Sequence, residues 1–254
     1  MGFDPQKVTY IRGDLDNRAS LLRLAGMADV VVHLAPPANA GSTDMRTRNL
    51  LAALARGAMP TQFIYISTSG VYGDCGGAWV NETHPLNPQS LRAQRRVDAE
   101  FQIRAWAIRN NVNASILRVP GIYADDRLPL ERLRTGMSAI VAEEDSYSNH
   151  IHADDLARII VAAIHYGKPN RVYHASDDGE MKMGDYFNAV ADAYRLPRPQ
   201  RISREAAQQT LPESLLSFMN ESRRIGNARM KKELHMRLHY PTVIDALGGN
   251  RSLD

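Results

Sequence analysis

The sequence has 254 residues, of which 44% are hydrophobic and 23% charged. This length and balance predict a folded chain with a sizeable core and exclude wholesale disorder. The net charge is only +3, and the basic excess lies in the last quarter of the chain without interleaved aromatic residues. This pattern argues against a nucleic-acid-binding protein. A single cysteine, Cys75, excludes a disulfide scaffold and a cysteine-based zinc site.

No segment of the sequence predicts membrane insertion or export. The longest apolar runs have about eight residues, whereas a membrane-spanning helix needs roughly 20. The first five residues have neither the basic start nor the apolar stretch of a signal peptide. We therefore expect a cytoplasmic protein that does not contact membranes.

Short apolar runs typical of strands alternate with longer amphipathic stretches typical of helices. The predicted strands are residues 8–11, 29–35, 63–66, 114–119 and 172–175. The predicted helices are a short one around residues 21–24, then 44–57, 90–111 and one that begins at Asp154 and Asp155. Strands that are apolar on both faces and separated by helices indicate a parallel sheet covered on both sides. The fold class predicted is α/β, a doubly wound parallel sheet.

The remaining residues predict a second, smaller unit. After residue 183 the pattern is helical, and we expect no strand there. The predicted division is a main α/β domain of residues 1–123 plus about 150–180, and a mostly helical lobe of residues 124–149 plus 181–254. The lobe should cover the carboxyl ends of the strands, where open α/β sheets bind ligands.

Five short motifs occur in an order and spacing that are specific. The most informative is residues 63–74, in which an apolar strand is followed by Ser67-Thr68-Ser69 and then by Val71-Tyr72-Gly73. The other four are Gly13-Asp14-Leu15, Val32-His33-Leu34-Ala35, residues 117–123 around Pro120-Gly121, and residues 151–157. Together they resemble the extended and atypical short-chain dehydrogenases/reductases of the NAD-dependent epimerase/dehydratase superfamily over at least residues 8–180. The closing residues 222–227 and 239–241 resemble the YeeZ-like branch.

The resemblance implies a Rossmann-like fold, NAD or NADP as cofactor, and oxidoreductase or epimerase activity. The substrate it implies is a sugar-nucleotide-like or other small alcohol or carbonyl compound. The cofactor-binding residues it implies are Asp14, Leu15, Leu34, Ala35, Pro36, Ser67, Arg96 and Pro120. The substrate residues it implies are Ser69, Tyr72, Gly121 and Tyr123, of which the two tyrosines could instead be packed aromatic residues. It implies no metal, and it allows a homodimer paired through residues 44–57 and 90–111.

Thr68 occupies the position of the family's catalytic serine or threonine. A hydroxyl just past a strand end lies at the ligand-binding edge of the sheet, where it can hydrogen-bond a substrate carbonyl or alcohol. The alternative is that the hydroxyls of residues 67–69 only bond N–H groups of the turn. His150, His152 and Asp154 have a spacing that fits an ordinary helix start better than a metal site.

The family's catalytic Tyr-x-x-x-Lys pair is replaced. Aligning residues 96–100 on the family's Lys-x-x-Ala-Glu places Arg92 at the tyrosine position and Arg96 at the lysine position. Because an arginine stays protonated at neutral pH, Arg92 cannot exchange a proton there, although Arg96 can still donate to ribose hydroxyls. The alternative is that both arginines belong to a solvated helix face.

The glycine-rich start of the family is also missing. No Gly-x-x-Gly-x-x-Gly turn stands between an opening strand and a helix, where backbone N–H groups would hold a pyrophosphate. We therefore expect an N-terminally incomplete Rossmann-like sheet, a shortened start or a degenerate paralogue, and weak dinucleotide binding. Two alternatives to an active enzyme follow: a non-catalytic NAD(P)-binding or redox-sensing module, and a truncated inactive product.

Overall fold

Four parallel strands form the main sheet of the computed structural model, which describes residues 7–249 apart from the side chains at 213 and 214. The strands, in chain order, are β1 Val30–His33, β2 Gln62–Thr68, β3 Trp79–Val80, β4 Asn113–Val119, β5 Gly121–Tyr123, β6 Ala139–Ile140, β7 His150–His152, β8 Arg171–His174, β9 Arg201–Ile202 and β10 Arg224–Ile225. The α-helices are α1 Met45–Leu54, α2 Leu91–Asn110, α3 Leu130–Arg134, α4 Ala153–Tyr166, α5 Met183–Ala193, α6 Arg204–Thr210, α7 Glu213–Met219, α8 Ala228–Glu233 and α9 Val243–Gly249. Short 3₁₀ helices span Arg18–Leu24, Ser69–Tyr72 and Asp125–Arg127.

None of the helices between residues 7 and 249 is long and apolar enough to cross a membrane.

The main sheet has the order β1-β2-β4-β8 and is covered on both faces. Alternate residues of β2 point to opposite sides because the side-chain period of a strand is two. Phe63 and Tyr65 therefore pack with α1 and α2 in one buried cluster, while Ile64 and Ile66 pack with α4 in another. This confirms the predicted doubly wound parallel α/β fold.

The helix that carries Arg92 and Arg96 is fixed at both ends by capping residues. The Ser90 side chain accepts a hydrogen bond from the amide of Ala93, and Asn111 ends α2 in the left-handed conformation at φ 54°. Both positions are typical of these residue types at helix ends. Because residues four apart lie on one face of a helix, Arg92 and Arg96 project from the same side of its first two turns.

Two of the predicted elements are wrong. Residues 8–11 form no strand, and Tyr10 is 88% exposed. A strand needs a neighbour to pair its backbone groups, and the sheet of the described chain ends at β1. The absence of strands after residue 183 is also incorrect, since β9 pairs with β6 and β10 pairs with β3. These strands have two residues each, too short to show an alternating pattern.

The division of the chain into a main domain and a lobe stays a prediction, and residues 1–6 and 250–254 at its ends lie outside the described residues. A third buried cluster around Phe187, Val190 and Leu215 forms the interior of the lobe side. The segment after β10 packs elsewhere, because Met230, Leu234 and Leu238 join the cluster on the α4 face of the sheet. The chain thus returns to the main sheet inside the range predicted for the lobe.

Candidate functional site

A cavity of about 460 Å³ opens at the carboxyl ends of β2 and β4, beneath the lobe. Its main-domain wall contains Thr68, Ser69, Gly70, Arg92, Pro120, Gly121 and Tyr123. Its lobe wall includes Arg127, Arg132, Tyr147, His150, Tyr186, Leu215, Phe218, Glu221 and Arg223. A mixture of polar and apolar side chains around a cavity at this edge of an α/β sheet is typical of ligand sites.

Thr68 stands at the floor of this cavity. It ends β2 in an extended conformation, and its Oγ1 accepts a hydrogen bond of 3.2 Å from the amide of Gly70. That bond uses an oxygen lone pair and leaves the hydroxyl hydrogen free to donate. Thr68 therefore caps the following turn and can also donate to a carbonyl or alcohol oxygen in the cavity. The structural and the substrate-binding interpretations of this hydroxyl are compatible.

Arg92 lies against the lobe, where its guanidinium carbon is 4.1 Å from the ring centroid of Phe218. It has no hydrogen-bond partner among residues 7–249. Burial is the main cause that lowers the pKa of Arg92, and the neighbouring Arg95, Arg223 and Arg96 lower it further, while Glu221 opposes them. The group nevertheless stays cationic at neutral pH, because the ordinary pKa of arginine is so high.

Arg96 lies one turn further along α2 and is held under the end of β2. Its Nη1 donates to the carbonyl of Ile66 at 2.8 Å and to the hydroxyl of Tyr65 at 3.1 Å. Its guanidinium carbon lies 5.7 Å from the ring centroid of Tyr65. One donor nitrogen of Arg96 is therefore committed to the strand end, and its Nε and Nη2 make no hydrogen bond within the described chain.

Glu221 and Arg223 reach the cavity from the segment between α7 and β10. Arg223 Nη1 donates to Glu221 Oε2 at 2.9 Å and to the carbonyl of Gly73 at 2.6 Å. The amides of Cys75 and Gly77 bond the carbonyl of Ser222, which ties this segment to the loop after Thr68. Both charged residues are less than 10% exposed.

A buried polar network lies beneath the cavity. Arg118 holds the carboxylate of Glu100 through two hydrogen bonds of 3.1 and 2.7 Å, and Ser67 donates to the same carboxylate at 2.6 Å. Arg118 also donates to the hydroxyl of Tyr72 at 2.6 Å. Because Nδ1 of His174 faces the carbonyl of Gly226, its Nε2 accepts the proton of Tyr72 at 2.5 Å.

The structure brings only part of the predicted site together. Ser69, Gly121, Tyr123, Pro120, Thr68 and Arg92 all line the cavity. Ser67 and Tyr72 do not; they are 3% and 1% exposed, with their hydroxyls committed to the network beneath it. Arg96 also lies outside the cavity lining. The remaining predicted cofactor residues, Asp14, Leu15, Leu34, Ala35 and Pro36, lie outside it too, around the turn before Arg18–Leu24 and after β1. Leu34 is 58% exposed there.

The glycine-rich stretch of residues 70–77 does not provide a site for the pyrophosphate of a dinucleotide. A pyrophosphate needs several unpaired backbone N–H groups. This stretch cannot supply them, since each glycine amide is already bonded within the protein. The acceptors are Thr68 Oγ1 for Gly70, the Gly70 carbonyl for Gly73, Asp74 Oδ1 for Gly76 and the Ser222 carbonyl for Gly77.

Two further titratable groups lie close to the cavity. His150 stacks on Tyr186 with ring centroids 4.2 Å apart, and burial lowers its pKa to about 4. Its imidazole is therefore neutral at neutral pH. Tyr123 is 2% exposed and its hydroxyl has no partner in the described part of the chain. Burial raises its pKa, with Asp177 as the largest charge contribution, so Tyr123 is a poor proton donor.

Sequence reasoning missed Glu221 and Arg223. Arg223 lies in the closing motif of residues 222–227, which was informative as a resemblance but had no assigned role. Their approach to Thr68 depends on the bonds between residues 73–77 and 222, which are about 150 residues apart. The charged residues of the motif include Arg223, but the motif alone does not show that Arg223 lies at the cavity.

Comparison with known proteins gives a consistent result. The model of the NAD dependent epimerase/dehydratase family matches residues 3–176. The dTDP-glucose 4,6-dehydratase of Streptomyces antibioticus is 24% identical over 212 residues, which cover 75% of this chain and 62% of that enzyme. The dTDP-4-dehydrorhamnose reductase of Mycobacterium tuberculosis H37Rv is 24% identical over 276 aligned positions, covering 100% of this chain and 88% of the reductase. The match to the first of these therefore spans less than two thirds of its length.

Solved structures share the fold. A conserved protein of unknown function from Silicibacter pomeroyi is 32% identical with a TM-score of 0.75, covering 87% of this chain and 76% of that one. The dTDP-glucose 4,6-dehydratase DesIV of Streptomyces venezuelae, solved with NAD and TYD bound, has a TM-score of 0.76 at 19% identity, covering 93% and 76%. RMD from Pseudomonas aeruginosa, complexed with NADPH, has a TM-score of 0.73 at 19% identity, covering 93% and 85%.

Proposed function

Because the chain belongs to the NAD dependent epimerase/dehydratase family, we propose that it is an NAD(P)-dependent oxidoreductase of the epimerase/dehydratase type. Its substrate is a sugar-nucleotide-like or other small alcohol or carbonyl compound. The active site is atypical, with Arg92 and Arg96 in place of the tyrosine and lysine.

One observation carries this proposal: Thr68 and Arg92 line one cavity, at the sheet edge where this fold class binds ligands. Thr68 has a hydroxyl hydrogen free to donate to the reacting oxygen. The cavity of about 460 Å³ has room for a sugar-sized ligand. Arg127 and Arg132 outnumber Glu131 on this part of its wall, which favours a substrate that carries negative charge.

The cofactor part of the proposal depends on residues outside the cavity as well. Arg96 Nε and Nη2 are the donors we assign to a ribose hydroxyl, and the exposed Leu34 is the apolar surface we assign to the cofactor. Since the glycine amides of residues 70–77 are bonded within the protein and cannot hold the pyrophosphate, the affinity for NAD or NADP should be low.

The second candidate is a non-catalytic NAD(P)-binding or redox-sensing module. The observation that favours it is Arg92, because a guanidinium at the tyrosine position cannot pass a proton at neutral pH. An active enzyme must transfer that proton through another group or through water.

The experiment that tests the proposal measures NADH and NADPH binding by fluorescence, followed by turnover at saturating cofactor with a panel of sugar nucleotides. The proposal expects weak binding of at least one dinucleotide and measurable turnover. Dinucleotide binding without turnover on any substrate would support the binding module. Binding of neither would contradict both candidates.

We also propose that two copies pair through α1 and α2. These helices present exposed apolar side chains to solvent, among them Met45 at 45%, Phe101 at 62% and Ile108 at 68% exposure. Phe101 and Ile108 are seven residues apart and so lie on one face of α2, and exposed apolar side chains on one helical face favour contact with another protein surface.

A further inference from the structure

The charged groups around Arg92 are unbalanced. Arg92 and Arg223 line this end of the cavity, and Arg95 and Arg96 lie close enough on α2 to act on the charge of Arg92, while the carboxylate of Glu221 opposes them. The nearby carboxylate of Glu100 is already held by Arg118 and Ser67. An excess of positive charge in a partly buried space favours an anionic ligand.

Arg223 adds an independent observation. The residue is 7% exposed, and its Nε is buried without any hydrogen-bond partner within residues 7–249. Its Nη2 also lacks a partner there but, unlike Nε, is not fully enclosed by protein. A buried guanidinium usually has its donors satisfied, so a reachable donor on a cavity wall indicates a ligand group that completes it.

We propose that Arg92 and Arg223 bind a carboxylate of the substrate beside Thr68, so that the substrate is a sugar acid or another hydroxy or keto acid. The reaction itself rests on the proposed function. Guanidinium groups match the planar pair of oxygens in a carboxylate. The Thr68 hydroxyl then faces the oxygen of the neighbouring carbon.

A carboxylate suits this site better than a phosphate because of Glu221. Its Oε2 lies 3.7 Å from the point that a Cβ on Gly70 would occupy, and Thr68 Oγ1 lies 3.6 Å from the same point. The two oxygens therefore flank one small space. A singly charged group is repelled less by Glu221 than a dianionic phosphate.

The replacement at the tyrosine position is consistent with this function. A phenol there would donate a proton to the reacting oxygen, whereas a permanent cation there fixes an anion next to it. Arg92 thus acts as a substrate-binding residue, and its loss should change affinity for acids without changing affinity for neutral sugars.

The test is calorimetric or NMR titration of the chain, without dinucleotide, with D-glucuronate, D-glucose and D-glucose 1-phosphate. The proposal expects glucuronate to bind at least about tenfold more tightly than glucose. Arg92→Gln should remove that difference. The matched control is Arg109→Gln, which removes the same charge from the last turn of α2, outside the cavity, and should bind all three compounds like the wild type.

Arg223 is tested by a conservative substitution, because replacing this buried residue by a neutral one could unfold the protein. Arg223→Lys keeps the charge but loses the paired donors, and we expect it to weaken glucuronate binding with an unchanged circular dichroism spectrum. The proposal is overturned if glucuronate binds no more tightly than glucose, or if Arg92→Gln behaves like Arg109→Gln. Tightest binding of the phosphate, dependent on Arg92, would also contradict the assignment. Because no dinucleotide is present, these results are separate from failure of cofactor binding or turnover.

Discussion

Replacing Asp177 by asparagine should stabilise the protein most at neutral and alkaline pH, and hardly at all below pH 3.8. Asp177 is 2% exposed, its Oδ1 accepts the amide of Gly179 at 3.0 Å, and its Oδ2 has no partner in the described residues. Burial is the main cause that raises its pKa from 3.8 to about 7, and the nearby charges of Asp178, Asp155 and Asp245 add to it. Asparagine keeps the bond to Gly179 and carries no charge to bury.

The direction of this pH dependence follows from the protonation of Asp177 in the folded and unfolded wild-type protein. Between pH 3.8 and about 7 the folded protein holds the proton of Asp177, while the unfolded chain has released it. The stabilising contribution is therefore fully present below pH 3.8 and is lost as the pH rises through about 7. At 1.36 kcal/mol per pH unit, the advantage of Asp177→Asn should grow by about 2 to 3 kcal/mol between roughly pH 5 and pH 8.

The assay is urea unfolding of wild type and Asp177→Asn across that pH range, analysed for the free energy of unfolding. Glu143→Gln is the control, because this exposed carboxylate makes no hydrogen bond or ion pair with another described residue, and the variant should follow the wild-type curve. A constant gap between wild type and Asp177→Asn, or a variant that is less stable than the wild type at pH 8, would refute the reasoning.

Two further substitutions test the network and the proposed interface. Tyr72→Phe removes the hydroxyl that accepts from Arg118 and donates to His174, so the free energy of unfolding should fall by about 1–3 kcal/mol; an unchanged value would contradict the network. Phe101→Lys places a charge on the exposed face of α2 beside Ile108, and sedimentation should show a monomer where the wild type is a dimer. A wild type that is monomeric at high concentration would contradict that pairing.

The main sheet was predictable because its central strands, β2 and β4, are buried on both faces and read as apolar runs. Residues 63–66 fall inside β2 and residues 114–119 inside β4, with only the ends misplaced. Residues 8–11 have the same local character but form no strand, because pairing depends on a neighbouring strand that local sequence does not describe. The local sequence pattern thus predicts the strands that are buried in the sheet. It fails for a segment whose strand formation depends on pairing with a distant strand.

The candidate site was predictable only where it lies on the motif-bearing strands and α2. Thr68 and Pro120 lie at strand ends, so their position at the cavity follows from the fold class. Tyr72 belongs to the same motif, yet it points into the buried network, because Arg118 and His174 satisfy its hydroxyl there. Arg223 is held at the cavity wall by hydrogen bonds to residues distant in sequence, such as the bond to the carbonyl of Gly73, and local sequence does not predict such bonds.

The assignment of Thr68 is tested most directly by comparing Thr68→Ser and Thr68→Ala in turnover of the best substrate found, at saturating NAD or NADP. Thr68→Ser keeps the hydroxyl that donates to the reacting oxygen, and Thr68→Ala removes it. We expect near wild-type turnover for the serine variant and a loss of about 100-fold or more for the alanine variant, with substrate binding retained. Equal turnover of the two variants would contradict the assignment of this cavity as the active site.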